Sequence, residues 1–423
     1  MLILPFIPAL GEVGLILALI GTWKQQYRQI IKYPFNWGLG VLSVWLVITS
    51  SFAFNRTEAF LGLANFFPFF ALLAAFSVLI EKPSQLRQLA WIMVIPSLPV
   101  VILGLGQLFA GWVSLKPLPM LLGWELAANG EPPGRMSSVF IYSNILAAYL
   151  LIIFILGLGL WIDSYQSWQQ GLRKHQGWVL LFLSVAVIGD GIGLVLTSSR
   201  NAWAIAVLGC LVFALYLGWR WLVVGFATIT GGVLWASWGP SPVREWLRRI
   251  VPAYVWARLS DELYPDRPLP SLRKTQWQFA WNMTDHRPWK GWGLRNFTPL
   301  YEAHTNWWRG HPHSLFLMLT AETGIPATLL LCGLVGWAIA QAVILLFIWS
   351  AVTPKNARLQ SNRDRLIFFT YLMAFGSCIL FNLFDVTLFD LRVNTLGWLL
   401  LSAICGVVYR NQAILKQFST LTA

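Results

Sequence analysis

Charged residues are scarce in this sequence: they make up 11% of its 423 residues, whereas hydrophobic residues make up 57%. A soluble domain normally carries about 25% charged residues, so this composition excludes a chain that folds wholly in water. The charges cluster between long apolar runs, and residues 139–161 and 325–349 have the roughly 20 residues needed to cross a bilayer. The sequence therefore predicts an all-α polytopic membrane protein.

Cysteine is also scarce. The four Cys all lie inside apolar runs and none forms a CxxC pair, which excludes a disulfide framework and a cysteine-based zinc site. We interpret them as small packing residues. A cleavable signal peptide is not predicted, because the first apolar run starts at Leu2 without a preceding basic segment or a small-x-small cleavage site. We expect this run to be retained as a helix.

The apolar runs predict eleven transmembrane helices, at residues 2–21, 37–54, 59–80, 89–110, 137–161, 178–197, 201–218, 221–238, 314–349, 366–384 and 394–409. The first contains two prolines and a glycine, which predict a short or kinked helix. The ninth is too long for one span. Its interruption by Glu322, Gly324 and Pro326 predicts a short interfacial helix that leads into a spanning one.

The chain is thus predicted to consist of helices 1–8 within residues 1–238, a large loop at 239–313, helices 9–11 within 314–411, and a tail at 412–423. Basic residues of the short loops favour one side. Fourteen lie there: Lys24, Arg28, Lys32, Lys82, Arg87, Arg173, Lys174, Arg220, Lys355, Arg358, Arg363, Arg365, Arg410 and Lys416. Five lie on the other: Arg56, Lys116, Arg135, Arg200 and Arg392. The basic side is the cytoplasmic one, so we expect a cytoplasmic C-terminus, with the N-terminus and the large loop outside.

The large loop has more basic than acidic residues. It carries 11 Lys and Arg, namely Arg244, Arg248, Arg249, Arg258, Arg267, Arg273, Lys274, Arg287, Lys290, Arg295 and Arg309, against 6 Asp and Glu, namely Glu245, Asp261, Glu262, Asp266, Asp285 and Glu302. Apolar residues recur at helical spacing over 243–257 with arginines on the other face, which predicts a helix lying in the headgroup plane. The excess charge indicates either anionic lipid headgroups or an anionic substrate as its partner.

Histidine and arginine are the candidate functional residues. Four of the five His lie in the large loop, and His311 and His313 stand where it re-enters the membrane. No third ligand or acidic cluster accompanies this pair in the sequence, which disfavours a metal. A neutral imidazole with a pKa of about 6.5 is suited to accept a hydroxyl proton. Arg200 lies at an outer helix end, where it either snorkels to the headgroups or binds phosphate oxygens bidentately.

Four segments, at residues 134–150, 197–200, 273–293 and 311–326, carry motifs in a specific order. They are similar to R-x-x-G-x-(F/L)-x-x-P-N-x-x-A, T-x-S-R, R-x-x-x-W with P-x-x-G-x-G, and H-x-H-N with E-x-G-I-x-G. In this pattern the chain resembles the O-antigen ligase and O-antigen polymerase superfamily of bacterial membrane proteins. Four residues depart from it: Ser138 replaces Gly, Ser143 replaces Pro, Ser314 replaces Asn, and Ala327 stands near the usual final Gly.

The resemblance implies an inverting, metal-independent glycosyltransferase without a cofactor. It would move glycan from an undecaprenyl-diphosphate-linked oligosaccharide or polysaccharide to a lipid or glycan acceptor on the outer face of the bacterial inner membrane, with no role for nucleic acid. It implies that Arg200 and Arg273 contact the diphosphate and that His313 is the base. Arg135, His311 and Glu322 are secondary candidates.

The sequence leaves other functions open. Ligase, polymerase and protein O-oligosaccharyltransferase share the donor and the base. A transporter or transport accessory for a small anion such as bicarbonate is the alternative from another class, with Arg200 in the anion path. No inverted repeat and no paired broken helices are visible in the sequence, which favours the enzyme. A catalytically inactive scaffold is the third interpretation, because the motifs contain substitutions.

Overall fold

The computed structural model describes residues 1–115, 122–171, 176–262, 268–352, 358–413 and 415. Within these ranges the chain is helical and contains no β-strand. We number the α-helices α1 Pro8–Ile30, α2 Pro34–Ser51, α3 Arg56–Gly62, α4 Phe67–Leu79, α5 Pro83–Val94, α6 Ser97–Phe109, α7 Ser143–Gln169, α8 Gln176–Leu196, α9 Arg200–Tyr216, α10 Arg220–Trp238, α11 Val243–Ile250, α12 Ala253–Leu259, α13 Arg273–His286, α14 Phe297–Thr305, α15 Leu315–Val352, α16 Arg358–Asn382 and α17 Leu391–Arg410. Two short 3-10 helices cover Leu63–Asn65 and Leu269–Ser271.

Eight helical segments of the described chain are long and apolar enough to cross a membrane. Helices α1 and α2 meet at a bend of 111° and together count as a ninth candidate span, and α9 is apolar but shorter. Each of the eleven predicted segments overlaps a helix. The all-helical, multi-pass membrane class is therefore confirmed, and the number eleven stays a prediction.

The first helix differs from its predicted position. It covers Pro8–Ile30 rather than 2–21 and begins with Pro8 in its first turn, where a missing N–H breaks no helical hydrogen bond. The kink lies at Gln26, whose φ is −122°, and not at the N-terminal prolines. The predicted kink is therefore present in α1, but its position differs, because Pro5 and Pro8 precede or start the helix instead of interrupting it.

The segment before α7 is buried but not helical. The sequence predicts a helix from residue 137, whereas α7 begins at Ser143. The Gln107 side chain makes hydrogen bonds that a helix would otherwise provide. Its Oε1 accepts hydrogen bonds from the Ser137 and Ser138 amides at 3.1 and 2.8 Å. The Met136 amide donates to the Leu196 carbonyl at 2.9 Å. Irregular backbone at membrane depth is tolerated where protein surrounds it in this way.

Helix α15 is broken where the sequence predicts an interruption. Gly324 has a φ of 83° and is the non-helical residue inside α15. The break packs against the 288–293 loop: Ile325 donates to the Pro288 carbonyl at 2.8 Å and Trp292 to the Ala321 carbonyl at 2.9 Å. A Cβ at position 324 would overlap the Trp289 carbonyl. Two motifs about 30 residues apart in sequence therefore form one structural unit.

Helices α7 and α17 form the centre of the bundle, and most of their residues are buried. Helix α7 packs against α8 and α16, and α17 packs against α4. The predicted amphipathic helix at 243–257 is instead two helices, Val243–Ile250 and Ala253–Leu259. Pro252 separates them because it lacks the N–H that a continuous helix needs.

Candidate functional site

A buried polar cluster lies where several helix ends meet the large loop. Asn144 is the second residue of α7, Asp385 lies in the connection from α16 to α17, and His313 lies two residues before α15. Their side chains converge although the residues are far apart in sequence. We use "His313 cluster" for Arg135, Asn144, His311, His313 and Asp385.

The members of the His313 cluster form a continuous hydrogen-bonded chain. Arg135 Nη2 donates to Asn144 Oδ1 at 2.6 Å, and Asn144 Nδ2 donates to Asp385 Oδ2 at 2.6 Å. His313 Nδ1 lies 3.1 Å from Asp385 Oδ1. A guanidinium can only donate and an ionised carboxylate can only accept. These constraints fix the orientation of the Asn144 amide and place the His313 proton on Nδ1, which leaves Nε2 free to accept one.

His311 supports the backbone of His313. The His313 amide donates to His311 Nδ1 at 3.1 Å, and His313 has a φ of 52°, a conformation uncommon for a residue with a side chain. Burial lowers the pKa of His311 to about 4, against the opposing effect of Asp385. A neutral His311 can accept this hydrogen bond, so its role is to hold the preceding loop in shape.

Asp385 is the residue that sequence reasoning missed. It is 3% exposed, and besides His313 and Asn144 it accepts the Val386 amide at 2.9 Å. Burial would raise the pKa of its carboxyl, but the hydrogen bond from His313 and the positive charge of Arg273 hold that pKa well below its ordinary value. In the sequence, Asp385 is one of two acids between the apolar runs 366–384 and 394–409, and it resembles an ordinary loop residue.

Arg273 belongs to the same region. It begins α13, is half-buried, and its charge acts on both Asp385 and His311. Arg309 also acts on His311. Two guanidinium groups thus give the surroundings of the His313 cluster the positive potential that an anionic ligand requires.

Arg200 lies at the start of α9 and is held by the loop. Its Nη1 contacts Asp261 Oδ2 at 3.0 Å and the Leu259 carbonyl at 3.3 Å, and its side chain is 33% exposed. The same end of the bundle connects to the His313 cluster, because Arg135 Nε donates to the Thr197 carbonyl at 2.8 Å. Arg200 therefore contacts the loop directly and the His313 cluster only through its neighbours.

Helix α12 is the part of the loop that covers the 197–200 motif. Tyr254 hydrogen-bonds the Ser198 hydroxyl, and Arg258 Nε donates to the Ser198 carbonyl at 3.0 Å. Arg258 is buried, which is unusual for a loop arginine. No motif in the sequence predicts this contact of Arg258 and Tyr254 with Ser198.

Glu322 lies outside the His313 cluster, in the unit formed by the α15 break. It is buried, and its Oε1 accepts the Phe297 amide at 3.1 Å at the start of α14. A carboxylate that accepts a first-turn amide stabilises a helix N-terminus. Among the secondary candidates, Glu322 thus has a contact typical of a structural support.

His311, His313 and Asp385 form the group of potential metal ligands found among the described residues, with donor atoms within 4.8 Å of one another. The third ligand that the sequence did not reveal is Asp385. Its Oδ1 and Oδ2 already accept hydrogen bonds from His313 and Asn144, and the positive charge of Arg273 acts on it. The contacts of the carboxylate therefore favour a hydrogen-bonded His–Asp pair over a cation site.

The fold and this cluster define a multi-pass helical membrane protein with a His–Asp pair beneath a basic loop. Residues 185–332 match the protein family described as O-antigen ligase, and this match confirms the resemblance to the O-antigen ligase and polymerase superfamily. The matched region contains Arg200, Arg273, His311, His313 and Glu322. It supports a glycosyltransferase-like ligase or polymerase activity and gives no support to transport. A search of curated proteins finds no match.

Proposed function

We propose that the protein is an inverting glycosyltransferase that moves glycan from a lipid diphosphate to an acceptor hydroxyl, with His313 as the general base. The observation that carries this proposal is the 3.1 Å contact between His313 Nδ1 and Asp385 Oδ1. A base oriented by a buried carboxylate is the arrangement that activates hydroxyl nucleophiles in hydrolases. The O-antigen ligase match supports the same class of chemistry.

The proton transfer follows from the cluster. The acceptor hydroxyl gives its proton to His313 Nε2 while its oxygen attacks the anomeric carbon of the donor. The bond from that carbon to the diphosphate oxygen breaks, and the diphosphate leaves with the electron pair. Asp385 stabilises the imidazolium that forms, because its carboxylate stays ionised next to Nδ1. The proton on His313 then passes to water or to the departing diphosphate.

Arginine stabilises the charge that develops on the leaving group. The positive charge of Arg273 affects the pKa values of Asp385 and His311, two members of the His313 cluster. We assign it the closer contact with the diphosphate. Arg200 is the second clamp, and its contact with Asp261 holds the guanidinium in place. Planar guanidinium groups bind phosphate oxygens bidentately and can neutralise a diphosphate.

The loop supports a reaction at the membrane surface. Helices α11 and α12 carry exposed aromatic and basic residues, among them Trp246 and Arg249. Such helices lie in the headgroup layer. In the proposed orientation this layer belongs to the outer leaflet of a bacterial inner membrane, where a lipid-linked donor keeps its tail in the bilayer and presents its sugar to the outside.

The direct test is transfer by the His313→Ala variant of the full-length protein in lipid nanodiscs with a lipid-linked glycan donor. We expect transfer to fall at least 10²-fold, about the lower contribution of a general base. His286→Ala is the matched control, because His286 lies in the same loop, is exposed, and has its Nδ1 2.7 Å from the Asn282 carbonyl of its own helix. Unchanged transfer by His313→Ala would refute its role as the base.

A deletion strain separates the variants of this reaction. Loss of attached surface glycan with accumulated lipid-linked precursor indicates a ligase. Single attached units indicate a polymerase. Normal glycan with altered anion uptake would contradict the proposal and indicate transport instead.

A further inference from the structure

An apolar groove of about 330 Å³ lies between α15, α16 and α17. Its lining includes Cys332, Gly336, Cys378, Gly397 and Trp398. Its α17 wall extends from residue 393 to residue 401, or about 12 Å at 1.5 Å per residue. This depth approaches half of a hydrocarbon core of about 30 Å. Its volume lies in the range of small-molecule sites, roughly 300–1,000 Å³.

The groove is polar only at the end near the His313 cluster. Asn382 and Thr387 line it there. Thr387 donates its amide to Asn382 Oδ1 at 3.0 Å, and Asn382 Nδ2 donates to Thr387 Oγ1 at 3.1 Å. These bonds close the turn that carries Asp385. A ligand in the groove would thus have its apolar part between the helices and its polar end near the Asp385 carboxylate.

The groove lies on a different face of α16 from the helix that carries Arg200. Phe369 of α16 stacks on Tyr216 of α9 with ring centroids 4.0 Å apart. The groove is lined by Phe375, Cys378 and Asn382 among the residues of α16. At about 100° per residue, Phe369 points roughly 130° away from this stripe. The groove therefore reaches the His313 cluster from a side other than that of α9.

We propose that this groove binds the apolar tail of a lipid-anchored acceptor. The inference rests on the proposed function, because it takes Arg200 as part of the diphosphate clamp and His313 as the base. In an inverting displacement the nucleophile and the leaving group lie on opposite faces of the anomeric carbon. The donor diphosphate lies on the Arg200 side, so the acceptor approaches from the groove side. Apart from Asn382, Thr387 and Asn394, the groove wall is made of apolar residues, glycines and cysteines. Such a wall suits a hydrocarbon chain and does not suit a peptide, whose backbone polar groups would lack partners.

The test uses photolabelling of the full-length protein in lipid nanodiscs. The probe is a dodecyl glucoside with a diazirine in its chain, which combines a sugar head with an apolar tail. Gly336→Leu fills the groove, and the added Cβ meets no atom within 4 Å, so the fold has room for it. Gly333→Leu is the matched control on the same helix, because Gly333 is also open and does not line the groove.

We expect label on the residues that line the groove and a decrease of about tenfold in Gly336→Leu, because the displaced chain loses the burial of a few methylene groups. Gly333→Leu should label like the wild type, and excess farnesyl diphosphate should not displace the probe. Displacement by farnesyl diphosphate would overturn the inference in favour of the donor tail. Absence of label in the groove, or equal label in both variants, would overturn it as well.

Measurements of probe labelling and of glycan transfer distinguish a failure of this inference from a failure of the proposed function. His313→Ala should label normally, because the tail does not contact the base. If that variant loses transfer while the groove takes no label, the inference alone fails. If the groove is labelled as expected while His313→Ala transfers glycan at the wild-type rate, the proposed function alone fails.

Discussion

Replacement of Asp385 by Asn tests the His–Asp pair with the smallest change of shape. The carboxylate accepts from His313 on one oxygen and from Asn144 on the other. An amide at 385 has only one acceptor, so one of its two neighbours faces an NH₂ group instead. Asn144 cannot compensate by turning over, because its own oxygen accepts from Arg135 at 2.6 Å. The substitution therefore disturbs either the base or its support.

The expected decrease in kcat of Asp385→Asn follows from two functions of the carboxylate. It fixes the His313 proton on Nδ1 and stabilises the positive imidazolium during transfer. In a Ser-His-Asp triad the same change lowers kcat about 10⁴-fold because the histidine takes the wrong tautomer. General-base assistance contributes about 10²–10⁴-fold. We expect a decrease of 10²–10⁴-fold in kcat, which corresponds to about 3–5 kcal/mol of transition-state stabilisation.

The assay is single-donor transfer by the purified full-length protein in lipid nanodiscs, with kcat and KM measured separately. The reasoning requires kcat to fall while KM for the lipid-linked donor stays near the wild-type value, because Asp385 contacts the base and not the leaving group. Asp285→Asn is the control, since Asp285 is an exposed acid in α13 of the large loop. Wild-type kcat in Asp385→Asn, or a loss confined to KM, would refute the role of the pair.

Three further predictions concern the residues around the site. Arg200→Lys should lower transfer about tenfold or more, because a point charge does not reproduce a bidentate fork; full activity of the Lys variant in the same assay would contradict the diphosphate clamp. The contact of His311 with the His313 amide should be present above pH 6.5 and lost as the pH falls towards 4, because the folded pKa is lowered. His311→Asn accepts the same bond without titrating, so its melting temperature should fall less than that of the wild type between pH 6.5 and pH 4; the same pH dependence of the melting temperature in both proteins would disprove this role. Gly324→Ala should destabilise the protein by at least about 1–3 kcal/mol, because the positive φ alone costs that much and the added Cβ would overlap the Trp289 carbonyl. Gly333→Ala should be neutral or stabilising, because its Cβ meets no atom; equal melting temperatures of the two variants in thermal unfolding would contradict the strained backbone and close packing at the α15 break.

The sequence predicts the features that depend on local composition. Long apolar runs identify the helices because an unsatisfied backbone cannot lie in a bilayer. Gly324 and its neighbours identify the break in α15 because they disrupt a helical run. A helix prediction is wrong where a side chain from another element makes the backbone hydrogen bonds that a helix would otherwise make. The 137–142 segment is apolar enough for a helix, but Gln107 satisfies its amides from another element.

The candidate site is only partly predictable for the same reason. His313 and Arg135 are visible because they belong to motifs. Asp385 is not, since it comes 72 residues after His313 and joins it only when α15, α16 and α17 pack together. Its position in a short connection gives no indication that it is buried. Only the tertiary structure brings this carboxylate to the imidazole.

The backbone conformation of Ser138 shows how serine is accommodated at this motif position. Ser138 stands where the family has Gly and has a φ of 49°, a conformation that glycine adopts without strain. Two contacts hold the serine there: its amide donates to Gln107 at 2.8 Å and its hydroxyl to the Val100 carbonyl at 2.6 Å. The side chain thus provides a bond that glycine could not make, and the local geometry is kept.

The substitutions at Ser143 and Ser314 are also compatible with the local structure. Ser143 stands where the family has Pro, at the first position of α7, which tolerates a residue with or without an N–H. Its amide donates to the Glu131 carbonyl at 2.9 Å. Ser314 replaces Asn directly before α15, and both residue types are favoured helix N-caps. Because none of the three serine substitutions removes a group from the His313–Asp385 pair, these serines favour an active enzyme over an inactive scaffold.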